Sequence, residues 1–127
     1  MQYPADRSYS REHEWIAVDG DTARVGITDY AQDALGDVVY VQLPDVGLEV
    51  LAHASCAEVE STKSVSEIYS PVTGTITAVN EALNDEPELL NRDPYGDGWV
   101  FALTVADPGG LDTLMDAAAY QAFVEEG

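Results

Sequence analysis

The sequence predicts a mainly β protein with short helices, an α+β sandwich or flattened barrel with an N-terminal hairpin and a C-terminal helix. Three observations predict it. Short β-type runs recur between turn signals rich in Gly, Pro and Asp. Two similar strand pairs lie on either side of the stretch STKS, residues 61–64. The tail LDTLMDAAAYQAFVEEG places Leu111, Leu114, Met115, Ala118, Ala119, Ala122 and Phe123 at helix-face intervals. The 127 residues suit a single domain over 1–127, with a core at about 22–105 and a C-terminal helical segment at about 110–125.

The elements follow in order. EHEWIAVDGDTARVGI reads as a hairpin turning at Asp19-Gly20-Asp21, because Asp-Gly is a strong tight-turn signal. Thr28 caps a short helix, DYAQDAL, with Asp29 in its first turn and Gly36 just past its end. DVVYVQLP is a β-branched and aromatic strand closed by Pro44. LEVLAHASCAEVE gives strand, short link, strand, and VSEIYS, the PVTG turn and TITAVN repeat that pattern. EALNDEPELLNRDPYGDGW is turn-rich, with Pro87 opening a short helix and DPYGDG a loop. GWVFALTV is a strand broken by DPGG.

Charge narrows the function classes. Four arginines and Lys63 face 24 acids, for a net charge of −19. A phosphate backbone is repelled by such a surface, so nucleic acid is excluded as a partner. The acids are spread through periodic apolar segments and read as the solvated surface of a folded, acidic protein. They repel one another at low salt and are screened at molar salt, which points to a salt-rich, halophilic cytoplasm. No apolar run approaches a membrane span, and the polar N-terminus lacks a secretory signal, so a soluble cytoplasmic protein is expected.

Chemistry is sparse. Cys56 is the single cysteine and reads as a small buried thiol; with His53 it supplies half a zinc site at best, so no metal is expected. His13-Glu14 begins like a zinc protease helix, but residue 17 is Ala, so the second histidine is missing. No nucleophile elbow or phosphate-binding glycine loop occurs. A carrier or binding module, not an enzyme, is the natural class. Lys63 is the only lysine, set among Ser61, Thr62, Ser64 and Ser66. From spacing alone, an ordinary surface hairpin with a lysine at its tip is the simpler account.

Longer motifs weigh against that account. HEW (13–15), GITDYAQDALGDVVYVQLPDVG (26–47), VESTKSVSEIYSPVTG (59–74), NEALNDEPELLN (80–91) and DPYGDGW (93–99) together resemble the lipoyl carrier family of glycine cleavage H proteins, in that family's order and over nearly the whole chain. The resemblance implies a lipoyl-type sandwich or flattened barrel, with lipoate attached by an amide to Lys63. A lysine that must be acylated cannot become arginine, whose guanidinium stays protonated. The resemblance further implies a carrier of the aminomethyl group of glycine, serving glycine catabolism and one-carbon metabolism. Its partners would be a pyridoxal-phosphate glycine decarboxylase (P protein), a tetrahydrofolate-dependent aminomethyltransferase (T protein), dihydrolipoamide dehydrogenase (L protein) and the lipoylation enzymes. The cleft for the loaded arm would use Glu14 and Glu67, with Glu12 at a position where relatives often have serine.

Other roles remain open at this point. The protein could relay lipoate to 2-oxo acid dehydrogenases. A biotinyl domain would show methionines beside the lysine, where Thr62 and Ser64 stand. A binding module with unmodified Lys63 is a further alternative. Trp15 and Trp99 read as core or cleft-wall residues, and Asp97 and Gly98 as turn residues.

Overall fold

A computed structural model describes residues 1–126, so Gly127 of the expected 1–127 domain lies outside the described residues. Among the described residues, nine strands form two antiparallel sheets: β1 (Ser8–Tyr9), β2 (Glu14–Asp19), β3 (Thr22–Ile27), β4 (Val38–Gln42), β5 (Glu49–Val50), β6 (Ser55–Ser61), β7 (Val65–Tyr69), β8 (Gly74–Val79) and β9 (Phe101–Val105). The large sheet runs β1-β2-β3-β9-β8-β5 and the small one β4-β6-β7. The helices that join them are α1 (Asp29–Leu35), α2 (Ala82–Asp85), α3 (Leu89–Arg92) and α4 (Ala117–Glu126), with a 3-10 turn at Pro108–Thr113. The sandwich is not closed into a barrel.

Period-two alternation builds two cores from one sheet. On β2, Ile16 faces the small sheet and its neighbour Trp15 faces away. The inner core joins Val25, Ile27, Ile76, Phe101 and Leu103 to Val38, Val41, Val59 and Ile68. Val38 and Val41 are three apart and would face opposite ways in a regular strand. A register shift between Val38 and Tyr40 restores both to the core. Leu35, Leu83, Leu89 and Leu90 bring α1, α2 and α3 onto the same core. The outer core is aromatic: Tyr9, Trp15 and Tyr120 are all but completely buried.

Local signals set most of the elements. The β2–β3 turn is closed by the Asp19–Thr22 pair, with Gly20 at φ +66. Thr28 caps α1 by accepting the Ala31 N–H at 3.1 Å, and Gly36 ends it at φ +81. Two expectations shift. Pro87 lies in the turn before α3, two residues short of Leu89, and α2 precedes it. The expected helical segment at 110–125 is two pieces. Leu114 is extended, and Met115 exchanges backbone hydrogen bonds with Tyr9 at 2.8 and 2.9 Å. Asp116 then restarts the helix, its Oδ1 accepting the Ala119 N–H. The break changes the helical phase, so Ala118, Ala119 and Ala122 are exposed, while Ala117, Tyr120, Phe123 and Val124 pack.

Candidate functional site

Lys63 stands in the three-residue link between β6 and β7, exposed. The turn beneath it is braced by one buried hydroxyl. Ser61 Oγ accepts the N–H groups of Lys63 (3.3 Å) and Ser64 (3.1 Å), and Ser61 N–H donates to the Ser64 carbonyl at 2.8 Å. Side-chain acceptors of this kind replace bonds that a short loop cannot make within its own backbone. Thr62 N–H donates to the Asp37 carbonyl at 3.0 Å, tying the tip to the link after α1. The lysine stem lies over Gly36. Its Cε is 3.4 Å from where a Cβ at Gly36 would stand, an ordinary van der Waals contact, and it is the backbone at φ +81 that favours glycine there. Among the described residues Lys63 makes no ion pair.

Asn91 of α3, the last residue of the NEALNDEPELLN motif, fixes that platform, a role that the motif alone does not disclose. Its Nδ2 donates to the Gly36 carbonyl (2.8 Å) and to Gln32 Oε1 (3.0 Å), while its Oδ1 accepts the Val38 N–H at 2.9 Å. One side chain thus holds the end of α1 and the start of β4. The partners are more than fifty residues away in sequence, beyond the reach of any local pattern.

Beside the hairpin runs a groove of about 230 Å³. Its walls are Ile27, Ala31, Ala34, Leu35, Val59 and Val65; Ser64 and Ser66 edge it. Glu12, Glu14 and Glu67 all line it, so the structure brings the three glutamates singled out from the sequence to one place. They differ sharply in state.

Glu14 is buried. Ser10 Oγ donates to its Oε1 at 2.7 Å and the Tyr69 N–H to its Oε2 at 3.1 Å. Burial raises its pKa to about 8, and the two hydrogen bonds only partly offset that. Glu67 is exposed and accepts the Tyr69 hydroxyl proton at 3.1 Å. Glu12 is engaged sideways, its Oε1 2.9 Å from His53 Nδ1. Cys56 is inert here: burial, and secondarily the Glu14 charge, pushes its thiol up to about 12.

His13 and Tyr30 complete the groove. His13 adopts φ +70, a conformation costly for a side chain of its size. It is held there by its N–H to the Ser10 carbonyl, its Nδ1 against the Tyr120 hydroxyl at 2.8 Å, and its ring against Tyr30. The same hydroxyl contacts Thr28 Oγ1 at 2.8 Å. Tyr120 of α4 therefore ties the 12–14 segment to the cap of α1.

The arrangement offers one free amine on a stiff tip beside an apolar slot with carboxylates along it. It can anchor a covalent group and shelter a chain that is apolar along its length and cationic at its end. Among the described residues no cluster of three or more His, Cys, Asp or Glu is placed to hold a metal, and no helix is long and apolar enough to cross a membrane.

Comparison with known proteins bears on this geometry. A family model described as Glycine cleavage H-protein matches residues 7–127. A glycine cleavage system H protein of Beutenbergia cavernae is 56% identical over 122 residues, covering 96% of each chain. One from Thermus thermophilus is 57% identical over 125 residues, covering 98% of each. The crystal structure of a glycine cleavage system H protein from Mycobacterium marinum superposes with a TM-score of 0.89 at 44% identity, covering 96% of this chain and 98% of that one.

Proposed function

The chain belongs to the glycine cleavage H-protein family, and on that premise we propose that it is the carrier component of a glycine cleavage system, with lipoate in amide linkage on Lys63. The observation that carries the reading is the exposed amine of Lys63 on a braced hairpin tip beside the groove that gathers Glu12, Glu14 and Glu67. The residues fit the group. The tip is polar and narrow, the amine has no competing carboxylate within ion-pair distance among the described residues, and the slot has apolar walls. When bound there, the lipoyl group would supply a disulfide that can be opened by reduction to take up the aminomethyl unit of glycine at the pyridoxal-phosphate decarboxylase, and whose two thiols, once that unit has passed to the tetrahydrofolate-dependent aminomethyltransferase, dihydrolipoamide dehydrogenase would reoxidise.

The chain's own residues do the rest. Ser61 keeps the tip in one conformation, so a modifying enzyme or a partner meets a pre-formed turn and the ordering cost falls. Tethering at Lys63 raises the local concentration at each partner without a tight interface. Glu14 is mostly protonated at neutral pH because burial disfavours its charge. A cationic end group beside it would favour the carboxylate, so the pair would form with release of a proton and shield the cation from water. Glu67 adds a second acceptor at the open side, and Glu12, which lines the groove, shares its carboxylate with His53.

The test is intact mass together with exchange activity. Protein made with its lipoylation enzymes should carry one lipoyl group, and Lys63→Arg should carry none. With glycine decarboxylase, the wild type should support glycine–bicarbonate exchange and Lys63→Arg should not. Unmodified wild-type protein, or full exchange by Lys63→Arg, defeats the reading. A lipoylated protein that supports no exchange would instead favour a lipoate relay.

A further inference from the structure

Glu12 stands between two hollows. It lines the groove beside Lys63 and also a neighbouring hollow of about 470 Å³, and no other described residue lines both. His53 lines only the outer hollow. Its Nδ1 lies 2.9 Å from Glu12 Oε1. A carboxylate oxygen accepts, so Nδ1 carries the proton and donates. Among the described residues this is the one hydrogen bond of the Glu12 side chain, and it leaves Oε2 without a partner. Arg11 lines the same outer hollow but forms no ion pair with Glu12.

His53 is not placed like an ordinary surface residue. Its φ is +68, a conformation that residues other than glycine rarely adopt. Its N–H donates to the Ser70 carbonyl at 2.6 Å, which fixes the backbone there. Yet the ring is exposed, and among the described residues its one side-chain hydrogen bond is to Glu12. Glycine would serve such a turn at less strain. Exposed ion pairs add little stability, so what this pair supplies is the direction of Glu12. The anchor is shared with the other groove carboxylates. Tyr69, next to Ser70, donates its N–H to Glu14 and its hydroxyl to Glu67. Three glutamates are therefore oriented from one dipeptide, Tyr69–Ser70: two directly, and Glu12 through His53.

We propose that His53 is a positioning residue of the groove: it holds Glu12 as the wall between groove and outer hollow, so that a chain lying in the slot with a cationic end meets Glu12 and Glu14 together. This role rests on the reading of the groove as the shelter for a loaded arm on Lys63. The two carboxyl groups are close enough to sense each other. Burial chiefly raises the Glu14 pKa, and the Glu12 charge adds to that rise. Such a pair is unfavourable alone and favourable around a cation. Without the His53 donor, the Glu12 side chain is free to turn into the outer hollow, which takes its charge from the slot and opens the wall to water. The device selects by charge. A chain with an ammonium end gains a charge-assisted contact from Glu12, and a neutral one of the same length does not.

The test uses probes that need no lipoyl group. The full-length protein is titrated with n-hexylammonium and, separately, with n-hexanol. NMR follows the backbone amides of Ser64 and Ser66, which edge the groove, and of Tyr69, which is bonded to Glu14. The wild type should bind both, the ammonium more tightly. Glycine suits φ +68, so His53→Gly should melt with the wild type. Its preference for the ammonium should nevertheless fall about threefold or more, as part of a hydrogen bond to a charged group is lost. A merely structural residue would not separate the two readouts. His53→Asn should keep the preference, because asparagine tolerates a left-handed backbone and its Nδ2 stands as many bonds from the chain as the imidazole Nδ1. Glu12→Gln should lower the preference as His53→Gly does, and combining the two should change nothing further. No saturable ammonium binding at these amides, an unchanged preference in His53→Gly, or an equal further loss in the double variant would each overturn the role. A Lys63 that stays unmodified would defeat the carrier reading and leave these titrations as they are.

Discussion

Glu14 Oε2 accepts the backbone N–H of Tyr69 at 3.1 Å, joining β2 of the large sheet to β7 of the small one. The carboxyl is thus both a groove residue and a structural tie. Its other oxygen is satisfied by Ser10, so the buried group makes its bonds without a cation. Burial rather than charge decides its titration.

The first prediction is a pH-dependent stability difference between wild type and Glu14→Gln. The pKa of Glu14 in the fold, about 8, lies above its ordinary value of 4.5. The folded state therefore holds the proton more tightly than the unfolded chain. The stability this contributes is fully present below about 4.5 and is lost as pH rises through about 8. Glutamine mimics the protonated form: its oxygen can accept from Tyr69 and its amide can donate to Ser10 Oγ. Urea midpoints should show the wild type falling behind Glu14→Gln across that window. The gap should reach up to a few kcal/mol, since each tenfold difference in proton affinity between folded and unfolded chain is worth about 1.4 kcal/mol. A constant difference from pH 4.5 to 8 would contradict the burial argument.

Loss of the brace under Lys63 is the second. Ser61→Ala removes the acceptor for Lys63 and Ser64 N–H. Water reaches this tip, so the cost in stability should be small, about 0.5–1.5 kcal/mol. Order at the tip should suffer more. Amide exchange at Ser64 should quicken and lipoylation of Lys63 should slow, while Ser61→Thr should retain both. Unaltered exchange and modification rates in Ser61→Ala would show that the hydroxyl does not set the turn.

What was legible in the sequence follows the distance over which each feature is determined. The Asp19–Thr22 turn and the Thr28 and Gly36 caps depend on a few adjacent residues, and they were readable. The three groove glutamates came from family motifs; with 24 acids in the chain, nothing in composition or spacing distinguishes Glu14. Its burial depends on β7 lying beside it. Asn91 and Tyr120 act on partners 53 to 107 residues away, so neither could be found from local pattern. The break at Leu114–Asp116 was hidden for a related reason. Leu114 and Met115 suit a helix, but the edge of β1 captures the Met115 backbone instead.

A third prediction concerns that distant tie. Tyr120→Phe keeps the aromatic ring, which stacks on Tyr9 at 4.9 Å, and removes only the hydroxyl shared by His13 and Thr28. The loss should cost about 1–3 kcal/mol, the range for leaving buried polar partners unsatisfied. The readout that separates positioning from simple stability is the His13 ring. Its pKa, held below the ordinary histidine value by burial, should move toward that value if the 12–14 segment loosens. An unmoved His13 titration with full stability would show that α4 does not position the groove.

Close packing on the outer face gives the fourth. Trp15 sits directly across from Gly26, and a Cβ there would fall 2.7 Å from the indole ring. Gly26→Ala should destabilise by about 1–3 kcal/mol through overpacking. The displaced indole should also lose its Nε1 hydrogen bond to the Pro94 carbonyl, now 2.9 Å, and shift its emission to the red. Thermal melts and fluorescence check both, and an unchanged spectrum would mean that the ring has room to yield.

The last prediction follows from charge. The acids outnumber cations 24 to 5, and the described residues form only three ion pairs, one of them through His53. Most carboxylates therefore lack a cation partner among the described residues, and Glu58 and Glu67 stand directly opposite each other on β6 and β7. Facing like charges on paired strands destabilise the sheet, and the unfolded chain relieves that repulsion by spreading. Potassium chloride should raise the urea midpoint. If screening is the cause, most of the gain should come between about 0.1 and 1 M, where the Debye length falls from about 10 to 3 Å. Glu67→Gln should reduce the salt dependence slightly, since it removes one facing pair. A midpoint indifferent to salt would show that the acidic surface is already relieved by its spacing, and the salt-rich habitat inferred from it would lose its support.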